Sequence, residues 1–285
     1  MRATIDCVHC YLKQAVSCMK MIGMDEDAQH EIIYKLMDYV KTFDRTATPA
    51  ENSTLVVLKA YELMKVDDPY KEAKKQSNDL ALQLYPCLKY MVDENGDRLY
   101  KALKISVAGN IIDLGIRRSF NIEEELKYST EIGFAKDHYQ DFVKKLAQVE
   151  EILFLGDNSG EIVFDKILVE ELAGLGKKVT YVVKEGPILN DATMEDAIYV
   201  GMDKVAKVIT TGSRFMGVCF NHVSQEFADI LYNAPLVIAK GQANFESLEQ
   251  EEMARGKVYF LLKIKCDEVA KAADVRLGDL VFFAV

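Results

Sequence analysis

The stretch Glu151-Ile152-Leu153-Phe154-Leu155-Gly156-Asp157-Asn158-Ser159-Gly160-Glu161 decides the fold. Four consecutive apolar residues are too few for a helix and suit a strand buried on both faces. Gly156 and Asp157 end the run, and residues 161–175 then carry apolar positions at helical spacing up to Gly176. A strand followed directly by a helix is half of a βαβ unit. The alternation continues downstream. Further apolar runs stand at 178–183, 206–210, 235–239, 258–262 and 280–283, with helical stretches from about 193 and from 218 to 232. This pattern predicts a mostly parallel sheet covered by helices.

Upstream the rhythm is different. Tyr11, Leu12, Ala15, Val16, Met19 and Ile22 recur at three- and four-residue spacing and form one apolar stripe. Similar stripes run through 25–40, 54–64, 70–91, 99–116, 121–126 and 135–146. Asp68-Pro69 reads as a helix start. The expected class is therefore α/β, with a multihelical domain at 1–147 and an α/β domain at 148–285.

The chain has 285 residues, with 35 basic and 45 acidic side chains and a net charge of −10. That balance argues against a broad nucleic-acid surface, which needs basic groups to neutralise phosphates. No apolar run is long enough to span a membrane, and the first residues lack the core of a signal peptide. Six cysteines spread over a full-size chain suggest free thiols and a cytoplasmic protein.

In open α/β sheets ligands gather beyond the carboxyl ends of the strands. The first such end offers Asp157 and Asn158, and the second leads to Asn190-Asp191. A carboxylate, an amide oxygen and a second carboxylate make a hard-oxygen set suited to Mg²⁺ or Mn²⁺, and such a set also accepts Co²⁺ or Ni²⁺. Taken alone, Asp157 is equally well explained as a helix N-cap. The third end, Thr211-Gly212-Ser213, reads either as an anion cradle or as a simple turn. At the fourth, Lys240-Gly241 adds a cation, with Asn244 one helical turn on. These are parts used in phosphoryl transfer. Neither GxxxxGK[ST] nor GxGxxG occurs, which disfavours P-loop and dinucleotide enzymes. A non-catalytic metabolite-binding module uses the same parts, and an adenosylmethionine-dependent methyltransferase is a weaker third reading.

Cys7-Val8-His9-Cys10 is a lone CxxC. Zinc ribbons need a second pair, and only Cys266 could join it in space. Cys7, Cys10 and Cys266 are thus a candidate second metal or redox site beside the simpler structural reading.

With these residues together, the sequence resembles the metal-dependent damage-control phosphatases, also called domain of unknown function eighty-nine. The resemblance rests on residues 156–161, Asn190-Asp191, Thr211-Gly212-Ser213, residues 240–246, Lys265-Cys266, the segment Gly109-Asn110-Ile111-Ile112-Asp113, and the amino-terminal CxxC, which marks the stand-alone microbial branch. It implies a helical domain on a Rossmann-like, three-layer α/β domain. It implies a divalent ion on Asp157, Asn158 and Asp191, catalysis involving Asp157, Asp113 and Lys240, a phosphate held by Lys240 and the Ser213 loop, and substrate binding by Ser159, Thr211, Gly212, Ser213, Gly241 and Asn244. Asn110 would reach the substrate from the helical side. The implied activity is hydrolysis of a small phosphorylated metabolite: a sugar phosphate, a phosphopantetheine-like ester or a damaged nucleotide.

Overall fold

The computed structural model describes residues 1–93, 96–109 and 132–285. Asn110 and Asp113 lie outside the described residues, as do residues 110–116 of the expected helix at 99–116 and the whole of that expected at 121–126. The chain opens with α1 (Ile5–Met21), α2 (Glu26–Val40), α3 (Pro49–Met64), α4 (Lys71–Asp93) and α5 (Arg98–Ala108). Then come β1 (Lys136–Asp137), α6 (Tyr139–Leu146), β2 (Glu151–Leu155), α7 (Glu161–Gly174), β3 (Lys178–Val183) and α8 (Met194–Tyr199). The last part is β4 (Lys207–Thr210), α9 (Gln225–Asn233), β5 (Val237–Lys240), α10 (Gly241–Leu248), β6 (Val258–Lys263), α11 (Asp267–Ala273) and β7 (Leu280–Ala284).

Local chemistry sets several of these starts. Asp25, Thr48, Asp97 and Ser224 each accept a backbone N–H from the first turn of the helix they precede. Pro49 follows Thr48 at the helix start, where its missing N–H costs nothing. Asp68 takes the Tyr70 N–H at 3.0 Å in a turn, so α4 begins after the expected Asp68-Pro69. The helix expected over 218–232 is shorter: 218–224 form turns, and Ser224 caps α9.

The seven strands run in the order β1-β7-β6-β5-β2-β3-β4. β6 and β7 are antiparallel and every other pair is parallel. From β2 the chain winds outward to β3 and β4, then returns to lay β5 on the other side of β2. The order reverses between β2 and β5, and a crevice opens there at their carboxyl ends.

Alternate side chains of the strands feed two cores. Ile152, Phe154, Tyr181 and Ile238 pack with α4, α5, α6 and α7 on one face. Leu153, Leu155, Val182, Val237 and Phe260 pack with α9, α10 and α11 on the other. A third core joins α1, α2 and α3 to Ile188 and Met216. The amino-terminal helices thus divide: α1–α3 stand over the strand ends, whereas α4 and α5 cover one face of the sheet.

Buried polar bonds fix each group on the α/β part of the chain. The Met216 N–H donates to Thr54 Oγ1 at 3.1 Å, and the Leu189 N–H to Tyr61 Oη at 2.9 Å. Asn78 of α4 accepts the Gly160 N–H at 2.7 Å and donates to Asp196 Oδ1 at 2.8 Å, with Lys74 3.2 Å from the same carboxylate. Asn78 is 1% exposed, so water cannot replace it. Asn78→Ala therefore leaves a buried N–H and weakens a buried carboxylate pair. It should lower unfolding free energy by about 3 kcal/mol, read from urea midpoints.

Candidate functional site

At the switch point β2 ends in Gly156 and Asp157, and β5 runs into Gly241. The two ends nearly touch. A Cβ on Gly241 would lie 2.0 Å from Asp157 Oδ2, and Gly241 has φ +78°. Only glycine fits there, because it combines left-handed backbone with no side chain. Gly156 is packed as closely, since a Cβ there would meet Tyr181 Oη at 2.5 Å.

The loop after β2 is tied to the loop after β3. Asn158 and Asp191 form an antiparallel bridge, Ser159 N–H donates to Asn190 O at 2.8 Å, and Ala192 N–H donates to Asp157 O at 2.8 Å. The expected oxygen set is thereby brought together. Asn158 Nδ2 donates to Asp157 Oδ2 at 3.1 Å and to Glu161 Oε1 at 3.0 Å. Burial, then the charges of Glu161 and Asp191, push the Asp157 carboxyl well above its ordinary range, while Lys265 and Lys240 pull it back.

Below Asp157 lies Lys240, 1% exposed. Its Nζ is 2.5 Å from Asp165 Oδ1, 2.8 Å from Ser106 O and 3.4 Å from Glu161 Oε2. Burial lowers the affinity of Lys240 for its proton, but Asp165 and Glu161 outweigh it and the net shift is upward. Asp165 is fully buried and also accepts from Ser106 Oγ at 2.6 Å and Tyr181 Oη at 2.8 Å.

Asp157, Asn158, Asn190 and Asp191 open onto a cleft of about 620 Å³. The α1 residues Cys7, His9, Cys10 and Lys13 form its opposite wall, with Glu246, Lys265 and Cys266 beside them. A second cavity of about 640 Å³ sits at the amino ends of β2–β4, lined by Lys177, Lys178, Lys204 and Lys207, and holds none of the expected site residues.

Other expected residues do not line this cleft. Thr211 and Ser213 are buried, and their groups are spent inside the loop: Thr211 Oγ1 donates to Ser213 O at 2.9 Å, and Ser213 Oγ accepts from Phe215 N–H at 3.1 Å. Gly212 has φ +66° and abuts Ser224. The turn reading of this tripeptide accounts for those bonds, and its visible effect is to carry Met216 to the cleft wall. Lys240 and Asn244 also lie beneath the cleft. Asn244 donates to Gly156 O at 3.2 Å and to Lys240 O at 2.8 Å, holding the two strand ends together. Ser159 is buried with an Oγ that has no hydrogen-bond partner among the described residues.

Sequence reasoning missed Glu161 and Asp165. Their spacing of four on α7 puts them on one helix face, which is a readable signal. Lys265, Lys13 and Glu246 were also missed. They come from three different elements, and no spacing connects them. Gly109, matched only by resemblance, has a physical role: a Cβ there would crowd Phe164 at 3.0 Å and Glu161 Cα at 3.3 Å, so its absence lets α5 lie against α7.

The oxygen donors are of the type a hard divalent ion takes, and a cation there would relieve the pressure that burial, Glu161 and Asp191 put on the Asp157 carboxylate. The three thiols share the cleft wall, and none forms a disulfide. Burial, then Cys266 and Cys7, push the Cys10 thiol up, and burial also raises Cys266. Among the described residues no group of three or more His, Cys, Asp or Glu side chains stands in ready-made metal geometry.

A seven-stranded sheet with carboxylates gathered at its switch point defines an α/β protein with a cleft of small-molecule size beyond its strand ends. Residues 3–281 match the model of the damage-control phosphatase ARMT1-like domain, and the chain belongs to this family. A damage-control phosphatase of Pyrococcus horikoshii is 34% identical over 284 residues, which cover 99% of this chain and 97% of the relative. One of Archaeoglobus fulgidus is 32% identical, with 96% of each chain covered. The crystal structure of a DUF89 family protein from Pyrococcus horikoshii superposes with a TM-score of 0.91 at 32% identity, over 100% of this chain and 99% of that one. The 4′-phosphopantetheine phosphatase of Mus musculus is 29% identical over 151 residues, 47% of this chain and 18% of its own length. Among the described residues no helix is long and apolar enough to cross a membrane.

Glu246 makes the electrostatics of the cleft measurable. Burial pushes its carboxyl up to about 7 from 4.5, against the hydrogen bond from Gln242 and the charge of the amino terminus. Between those pH values the folded protein holds the proton more tightly than the unfolded chain. Stability from this group is therefore highest below 4.5, falls by about 3 kcal/mol as pH rises through 7, and stays low above it. Glu246→Gln lacks that decline. Urea midpoints at pH 5 and pH 8 should show the variant gaining on the wild type at the higher pH.

Proposed function

We propose that the protein hydrolyses a small phosphorylated metabolite with a divalent ion held by Asp157, Asn158 and Asp191. The observation that carries this reading is the meeting of those three residues at the strand ends, on the floor of a cleft that also presents Lys13 and Lys265. Family membership supports a phosphatase. The oxygen donors favour Mg²⁺ or Mn²⁺ and also accept Co²⁺ or Ni²⁺.

When bound, the ion supplies Lewis-acid neutralisation of the phosphoryl oxygens. The protein's own residues do the rest. Asn158 spends its amide nitrogen on Asp157 and Glu161, so its carbonyl oxygen would be the atom it offers to an ion. Lys265, whose charge already acts on Asp157, and Lys13 attract the anionic end of the substrate. Asp157 is the reacting group. Either it attacks phosphorus, expelling the ester oxygen as an alcohol once that oxygen takes a proton, and water then cleaves the acyl phosphate to release phosphate and free Asp157; or it orients a water that displaces the same alcohol directly. Acid-stable trapping of a phosphoryl group on Asp157 separates these routes.

Asn110 and Asp113 stay in the proposal on the family pattern, and Gly109 supports them because the chain enters that segment beside Glu161. The phosphate role first assigned to Thr211, Gly212 and Ser213 finds no support in their closed loop. Cys7, Cys10 and Cys266 border the cleft, but hydrolysis is assigned to the oxygen donors alone. A cleft of about 620 Å³ admits a sugar phosphate, a phosphopantetheine-like ester or a nucleotide. The proposed setting is the cytoplasm, where thiols such as these stay reduced.

Metal-stripped protein should gain p-nitrophenyl phosphate turnover on adding Mg²⁺, Mn²⁺, Co²⁺ or Ni²⁺. Asp157→Ala and Asp191→Ala should lose it. A folded protein that binds these ions without turning over this or any tested phosphate ester would instead be a binding module. Gly241→Ala pushes against the reacting carboxylate, so kcat should fall on the order of 100-fold, as expected for a displaced catalytic group. Steady-state kinetics of the variant checks this.

A further inference from the structure

The geometry points to Asp165 as a positioning residue that pairs with Lys240, so that the ammonium does not compete with a divalent ion for the carboxylates on the cleft floor. This rests on the divalent-ion reading above. Two lysines are buried near those carboxylates: Lys184 lies 4.0 Å from Asp191 Oδ2 and also donates to Gly217 O, whereas the Nζ of Lys240 has a choice of anions on α7. Glu161 Oε2 is 3.4 Å away, whereas Asp165 Oδ1 is 2.5 Å away.

Burial pushes the Asp165 carboxyl up, against the pull of Lys240 and Ser106, and its hydrogen bonds are those of an acceptor. It receives three donors: Lys240 Nζ, Ser106 Oγ at 2.6 Å and Tyr181 Oη at 2.8 Å. A carboxylate accepts all three, while a protonated acid would have to give up one acceptor position to its own proton. Asp165 is 0% exposed, and it lines no part of the cleft. It therefore acts through Lys240 and not on a ligand. Ser106 O takes a second Lys240 proton at 2.8 Å, which fixes the ammonium between α5 and α7.

The electrostatic consequence has a definite sign. With Asp165 ionised, the Lys240–Asp165 pair is close to neutral, and the ammonium leaves Asp157 and Asp191, which line the cleft with Glu161 buried behind them, to an arriving cation. Without the Asp165 charge, the buried ammonium leans on Glu161 and Asp157 and competes with any ion they would attract. In a site shut off from water such charges are weakly screened.

The test is Mn²⁺ affinity, measured by calorimetry on the full chain stripped of metal. Asp165→Asn should weaken Mn²⁺ binding by roughly 10- to 100-fold, the usual size of such indirect effects on a metal site. The double variant Asp165→Asn with Lys240→Met removes both charges and should return affinity to within about threefold of wild type, a coupling that a purely structural role would not produce. Affinity for inorganic phosphate, measured with Mn²⁺ saturating, should change little in Asp165→Asn. Wild-type affinity in Asp165→Asn, or a double variant as weak as the single, overturns the inference. So does a wild-type protein that binds no Mn²⁺. If Asp165→Asn does not fold, Ser106→Ala and Tyr181→Phe each remove one donor from Asp165, and both should weaken Mn²⁺ by a few-fold; no effect in either overturns the inference. Mn²⁺ binding that follows this pattern in a protein without phosphatase turnover would sink the hydrolysis reading and leave this one standing.

Discussion

A protonated lysine sealed under a group of carboxylates is the constraint from which the rest of the site follows. Lys240 ends β5, Asp165 and Glu161 project from α7, and the Ser106 carbonyl belongs to α5. One ammonium therefore joins a strand to two helices of the layer covering it. An uncompensated charge in that position would cost several kcal/mol, so each partner must arrive in register. Close packing follows from the same demand. Gly109 lets α5 settle on α7, and Gly241 lets the strand end settle against Asp157. The polar centre and the apolar core of this layer are thus built from the same helix contacts.

The α/β half was legible because its strands are buried on both faces. Unbroken apolar runs such as 152–155 and 236–239 leave little choice of structure, and each strand was read within a residue or two of its observed position. The helical half was legible as helix from its stripes, but not in its arrangement. Nothing in the periodicity of α4 says that it packs beside α5 on the sheet instead of with α1–α3. That follows from single buried groups such as Asn78, whose partners Gly160 and Asp196 lie far along the chain. The two-residue β1 was missed because two residues carry no period.

The candidate site divides along the same line. Asp157, Asn158 and Asp191 were readable because each follows a strand, and a parallel sheet gathers its carboxyl ends at one edge. Thr211-Gly212-Ser213 also follows a strand, but its hydroxyls fold back on their own loop, and that outcome turns on a few torsions no spacing reports. Lys240 was read as a cation open to a ligand. Its burial depends on α5 and α7 meeting above it, so a linear reading could place the charge but not its partners. The three cysteines were linked only by a guess at proximity, and the cleft does bring Cys266 to the wall that holds Cys7 and Cys10.

The strand order has a further consequence at the rims of the sheet. Open backbone at a sheet edge is a template on which another chain can pair. Here one rim is β1, two residues long, and the other is β4, four residues long and opening with Lys207. The long apolar strands β6 and β7 are held inside, with β1 laid along the outer side of β7. Among the described residues the sheet thus borders on a two-residue strand and a short strand headed by a lysine, and protection against edge pairing depends on elements that contribute little to the core.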